Sequence, residues 1–243
     1  RNLLFSCVGA GRGFIFNDFN YHIVDDTDGE TYDSLIIKDI SSDGVITTLE
    51  RHNLTEENII EFTKIVGDNL QDLQNKKFIV SIVNSNEFKL KGFEKRDFTF
   101  NNGVVKRVKT PCHLQYKSLE DELASPTLME DWINPEVPSK NFDRWFKSGL
   151  SPEDKLEFGP TNALFGGLIA SEIIKKITKV YLPIHSWYFW EDTSFINYDE
   201  TGRNTVEKIV GKEIYQKMIK GKWFMVGAGA IGCEMLKNIS LMN

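Results

Sequence analysis

The spacing of hydrophobic positions changes several times along this chain, and each change marks a new kind of element. Leu3 to Val8 is a short apolar run and reads as a strand. The glycines at 9, 11 and 13 follow it with no helical pattern behind them, so they read as a bend or linker between domains rather than a phosphate loop. From Phe14 to Val108 the period is that of short strands broken by turns. Phe14, Phe16 and Tyr21, Ile23 sit in alternating runs on either side of Asp18–Asn20. Leu35 to Ile40, Val45 to Leu49 and Phe78 to Val83 read as strands, with turns at Asp28–Gly29, Asp43–Gly44 and Asn84–Asn86. Asn102–Gly103 lies between two alternating runs and predicts a type I′ hairpin over Thr99 to Lys106. Leu54 to Val66 fits either a helix capped at Thr55 or a loop followed by a strand, because periodicity alone does not separate the two. Many short strands with regular turns predict a sandwich or small barrel.

After Pro111 the pattern turns helical. Ser118 and Asp121 have the spacing of a capping box for a helix over Leu119 to Leu123, which Ser125–Pro126 ends. Five of the seven prolines fall between 126 and 160, so that stretch is too broken for one long helix and predicts short ones. Asn162 to Ile177 carries Leu164, Phe165, Leu168, Ile169, Ile173, Ile174 and Ile177 on one face and predicts a packed helix, with Gly166 and Gly167 at a close contact. Tyr181 to Trp190 reads as an aromatic strand, and Glu207 to Ile219 as a surface helix.

The last stretch carries the candidate chemistry. Trp223 to Val226 is continuously apolar, as in a parallel strand buried on both faces. Gly227, Ala228, Gly229, Ala230, Ile231 and Gly232 follow as G-x-G-x-x-G, and then Ile231, Met235, Leu236 and Ile239 recur at helical spacing. In that context Gly227 makes the tight turn, Gly229 lets a phosphate approach the backbone, and Gly232 lets the helix pack closely on the strand. The helix start adds free N–H groups and the positive end of its dipole. These six residues are the candidate cofactor-binding site. The acidic residue that would grip a ribose about 20 positions further on falls beyond Asn243, so the site reads as half a site and the chain as a fragment.

Composition narrows the field. The 243 residues predict two or more compact units, and 41% hydrophobic with 26% charged residues is enough apolar matter for real cores. A net charge of −6 argues against a nucleic-acid partner, and no apolar run has membrane-spanning length. Cys7, Cys112 and Cys233 are few and far apart, which excludes a disulfide framework and fits a reducing compartment. The four histidines lack metal-ligand spacing, so no metal residue is assigned. Cys112 precedes His113, but neighbours on a strand point to opposite faces, so it is not taken as a nucleophile.

With these pieces in order, the chain resembles the ubiquitin-activating enzymes. Gly227 to Asn238 resembles the opening of their active adenylation domain, and Asn197-Tyr198-Asp199 stands where the family has Arg-Tyr-Asp. Phe165 to Gly167, Ser171-Glu172 and Tyr188-Phe189 resemble the end of their inactive adenylation domain. Gly13 to Phe19, Asp28 to Glu30 and Val105 to Leu119 resemble the first catalytic cysteine half-domain, a small β-barrel. The resemblance implies an α/β fold with an inserted barrel and Rossmann-like pieces on either side. It places residues 1–9 in the inactive adenylation domain, 10–110 in the barrel and 111–160 in a shortened four-helix bundle. Residues 161–196 then return to the inactive domain, and 197–243 open the active one. It favours a strand over Asn58 to Val66. It implies ATP and magnesium as cofactors, ubiquitin or a ubiquitin-like protein and a conjugating enzyme as partners, and a cytoplasmic or nuclear location. The catalytic residues of such a family lie outside this stretch, so none is assigned within it. Two other readings stand beside it: a non-catalytic ubiquitin-binding scaffold, and a nicotinamide-dinucleotide enzyme.

Overall fold

The computed structural model describes residues 2–241, and positions 1 and 242–243 lie outside it. The chain divides into two compact units, one of residues 25–112 and one of residues 1–24 with 113–243. No helix among the described residues is long and apolar enough to cross a membrane.

The inner unit is a closed six-stranded barrel. Its strands are β4 (Ser34–Ile40), β5 (Val45–Thr48), β6 (Ile59–Asp68), β7 (Lys77–Ile82), β8 (Glu87–Leu90) and β9 (Thr99–Val108). They close in the order β4-β5-β8-β7-β6-β9, and every pairing is antiparallel. Alternate residues face inward, so Ile46 on β5, Ile60 and Phe62 on β6, Phe88 on β8 and Val105 on β9 are fully buried in one core. The ambiguous stretch is therefore a loop and then a strand, as the resemblance implied.

One sequence expectation fails here. No hairpin forms at Asn102–Gly103. Instead β9 runs straight through it, and Gly103 pairs with Ile37 on one side and Ile65 on the other. Gly103 is absent from the residues at positive φ that a type I′ turn requires. A Cβ there would sit 2.9 Å from Ile37 Cδ1 and 3.0 Å from Phe100 Cε2, so the glycine makes room for neighbouring side chains rather than a turn.

The outer unit is built on a three-stranded antiparallel sheet, β1 (Leu3–Val8), β2 (Arg12–Asp18) and β11 (Ser186–Glu191), with β2 central. The glycine-rich stretch at 9–13 is no interdomain linker. It closes the β1–β2 hairpin, where Gly9 N–H donates to the Arg12 carbonyl at 2.8 Å. A short second sheet pairs β3 (Tyr21–Val24) with β10 (Cys112–Gln115), so a strand precedes the first helix after Pro111. Helix α1 (Leu119–Ala124) is capped as expected, with the Ser118 hydroxyl accepting from Asp121 N–H. The proline-rich stretch forms α2 (Val137–Asp143), a π-helical turn over Arg144–Ser148 and a 3-10 turn over Glu153–Lys155. Phe142, Trp145 and Phe146 from this stretch pack with Phe14 and Phe16 of β2 and Trp187 and Phe189 of β11.

Helix α3 (Gly159–Thr178) is the longest, and its apolar face is only partly covered. Phe165 is buried, whereas Leu164, Ile173, Ile174 and Ile177 are exposed. Nothing stands within 4 Å of a Cβ built on Gly166 or Gly167, so the close contact expected there does not form among the described residues. Helix α4 (Thr205–Lys220) breaks at Gly211, whose φ is 76°. The break releases carbonyls that a continuous helix would use. Asn197 N–H takes that of Ile209 and Asp199 N–H that of Lys208, each at 2.8 Å. Helix α5 (Ala230–Leu241) ends the described chain.

Trp223 to Val226 forms no strand. A parallel strand needs a neighbour for its N–H and C=O groups, and none pairs with this stretch among the described residues. Trp223, Phe224 and Val226 are accordingly exposed.

Candidate nucleotide site

The turn at Gly227 and the start of α5 form where the spacing predicts them, without the strand before them, so Gly232 packs on the turn instead. Gly227 sits at φ 92°, a conformation that side chains disfavour. Helix α5 closes its first bond from Cys233 N–H to the Gly229 carbonyl at 2.9 Å. A Cβ on Gly232 would lie 2.5 Å from the Gly227 oxygen, so the helix rests directly against the turn. Gly229 has open space where its Cβ would be. The turn lines a hollow of about 430 Å³, floored by Met225 and Met235. Ala228, Gly229, Ala230 and Ile231 are exposed.

What this arrangement offers is backbone. The first N–H groups of a helix have no intrahelical partner, and the dipole is positive at that end. No residue from Gly227 to Gly232 is ionisable, and the nearby Glu234 and Lys237 pair with each other. The turn can hold an anion but contains no acid, base or nucleophile. Cys233 is exposed, and its thiol donates to the Ala228 carbonyl at 3.3 Å.

Cys112 and His113 open β10, and the structure does not bring them together. His113 Nδ1 bonds the Tyr21 hydroxyl instead. Among the described residues no group of three or more His, Cys, Asp or Glu is placed to hold a metal ion.

Two buried charge clusters in the outer unit have no local sequence pattern that announces them. Asp154 is fully shielded and accepts from Arg12 at 2.7 Å, Arg144 at 3.0 Å and the Ser151 hydroxyl at 2.6 Å. Burial pushes its carboxyl up, but the bonds from Ser151, Arg12 and Arg144 outweigh that and hold it below the usual carboxylate range. Arg12 also pairs with Glu191 at 2.9 Å. On the helix side, buried Glu172 accepts from Asn17 at 2.8 Å, Ile184 N–H at 2.7 Å and Lys175 at 2.7 Å. The partners lie up to 179 positions apart, and the one available signal was a charged residue, Arg12, opening an otherwise buried strand.

No family model matches the chain. Its sequence is 24% identical, over 95% of its length, to Ubiquitin-activating enzyme E1 1 of Candida albicans and to Ubiquitin-like modifier-activating enzyme 1 of Homo sapiens. It is 24% identical over 94% of its length to human Ubiquitin-like modifier-activating enzyme 6. This chain is a homologue of the ubiquitin-activating enzymes. It covers 29%, 28% and 27% of those three relatives, so it spans under a third of their length. The match to the Candida albicans enzyme runs over 298 positions against a chain of 243, so the relative carries insertions within the matched span.

Proposed function

We propose that this chain is the central part of an ATP-dependent ubiquitin-activating enzyme. The parent protein joins the carboxyl terminus of ubiquitin, or of a ubiquitin-like protein, to AMP. It then holds that protein as a thioester and passes it to a conjugating enzyme, in the cytoplasm or the nucleus. The observation that carries this reading is the match over 95% of the chain to enzymes of that name. The run of elements supports the assignment of segments. In that assignment residues 1–9 and 161–196 belong to the inactive adenylation domain, and 10–110 to the first catalytic cysteine half-domain, whose barrel lies in the compact unit of residues 25–112. Residues 111–160 replace a four-helix bundle in shortened form, and 197–243 open the active adenylation domain.

In this reading Gly227 to Gly232 hold ATP phosphate oxygens by backbone N–H groups. The open space at Gly229 and the contact of Gly232 on Gly227 fit such a ligand. No magnesium ligand is assigned to the turn, because Gly227 to Gly232 include no carboxylate. Metal ligands and catalytic groups therefore come from other parts of the parent, and the chain alone is inactive. The full-length parent with ATP, magnesium and ubiquitin should give a thiol-sensitive adduct, and the 243-residue chain should give none. An adduct formed by the chain alone would refute this division of labour.

A second role has its own support. The barrel exposes Ile36 and Leu49 side by side, joined by a Leu49 N–H to Ile36 carbonyl bond of 3.0 Å. That apolar pair suits contact with a ubiquitin-like protein, and the barrel then serves as a binding wall. Titrating ubiquitin into the labelled chain should shift the β4 and β5 amides. No shift at about millimolar ubiquitin, the weak end of measurable affinity, would remove this role.

A further inference from the structure

The barrel carries a pocket that the nucleotide reading leaves unused. It measures about 270 Å³ and lies between the 3-10 turn at Gln71–Leu73, β7 and the loop after β8. Lys76, Lys95 and Arg96 line it, against Asp72 and Glu94, so its balance is positive in a chain of net charge −6. Phe78 and Phe93 form apolar walls, with Lys76 Nζ 5.9 Å from the Phe78 ring centre and the Arg96 guanidinium 5.4 Å from that of Phe93.

Arg96 is the telling residue. Its Nη1 donates to Asp72 at 2.9 Å, and its backbone N–H to the Ser42 carbonyl at 3.2 Å. Its Nε and Nη2 are shielded from solvent and meet no acceptor. Those two nitrogens form one edge of the guanidinium, and their N–H bonds point the same way. That edge is the fork that takes two oxygens of one carboxylate or phosphate. Asp72 fixes the opposite edge and the Phe93 ring lies against the guanidinium, so the empty edge is held in place. Donors left unpaired away from water are destabilising, and an oxyanion in the pocket supplies the acceptors they lack.

We propose that this pocket binds a small oxyanion, the phosphoryl or carboxylate group of a small molecule, through the Nε–Nη2 edge of Arg96, with Lys76 and Lys95 adding charge. The site is independent of the glycine turn, which lies in the other compact unit. It would make the barrel responsive to a soluble anion.

The test follows the Arg96 Nε–H resonance of the labelled 243-residue chain during titration with inorganic phosphate and, separately, with acetate, against sodium chloride of matched ionic strength. The expected result is a saturable shift with an oxyanion, half complete by about 10 mM, and no comparable shift with chloride. Saturation with phosphate alone names a phosphoryl ligand, saturation with acetate alone names a carboxylate, and both support the site. Arg96→Lys keeps the charge but removes the fork, and should weaken binding about fivefold or more. The amides of β5 and β8 report whether that variant keeps its barrel. If they do not, Lys95→Gln, whose only assigned role is charge, should weaken binding measurably. A shift that chloride reproduces, no saturable shift with either anion, or unaltered binding in a folded Arg96→Lys chain would overturn the proposal.

Discussion

Replacing Asp154 by alanine tests how the outer unit is held together. The carboxylate is fully shielded and receives Arg12, Arg144 and the Ser151 hydroxyl within 3.0 Å. Its loss leaves Arg12, itself almost buried, with Glu191 as its remaining acidic partner. Removing one partner of a buried pair costs about 3–5 kcal/mol. With a urea slope near 2 kcal/mol/M, the lower figure moves the midpoint down by about 1.5 M. Tryptophan fluorescence is the right probe, because all five tryptophans lie outside residues 25–112 and Trp145 and Trp187 sit in the aromatic core of the outer unit. Asp154→Asn keeps the size and removes the charge, which isolates the pH dependence. The folded carboxyl titrates below its unfolded range, so its contribution is complete above the unfolded value of about 4 and is lost as pH falls through the depressed folded value. Wild-type stability should therefore fall below about pH 4, and that part of the acid slope should be missing in Asp154→Asn. A midpoint within about 0.3 M of wild type for Asp154→Ala would refute the argument that this cluster stabilises the unit.

Three further outcomes follow from the same geometry. Phe62→Ala empties the fully buried centre of the barrel and should cost about 3–5 kcal/mol, read as lost hydrogen-exchange protection of the β6 and β9 amides. Gly166→Ala meets nothing within 4 Å and should raise stability by about 0.5–1 kcal/mol through helix propensity. A lowered thermal midpoint of the chain would reveal a contact there after all. Cys112→Ser in the full-length parent should leave thiol-sensitive adduct formation intact, because His113 is engaged by Tyr21; loss of the adduct in a folded variant would make Cys112 a nucleophile.

Local chemistry was legible wherever one segment decides its own structure. Alternation placed β4, β5 and β7, the Ser118 cap placed α1, and the G-x-G-x-x-G spacing placed the turn at Gly227 and the start of α5. The sequence misled where a neighbour decides. Asn102–Gly103 has hairpin chemistry, yet pairing with β4 and β6 on both sides carries β9 through it. Trp223 to Val226 has strand chemistry but no strand beside it among the described residues. The cluster around Asp154 was not legible at all, because no local pattern announces an ion pair between residues 142 positions apart. The pocket at Arg96 was hidden for the same reason, since its walls come from separate strands and loops.

The proposed role of Gly227 to Gly232, the phosphate-holding corner of an adenylation site, is tested by ATP–pyrophosphate exchange in the full-length parent, with and without each ubiquitin-like protein. Exchange should depend on at least one such protein. It should fall about 100-fold in Gly232→Ala, whose Cβ would lie 2.5 Å from the Gly227 oxygen and displace the turn. Exchange that stays silent with every ubiquitin-like protein, or that Gly232→Ala leaves unchanged, would contradict it.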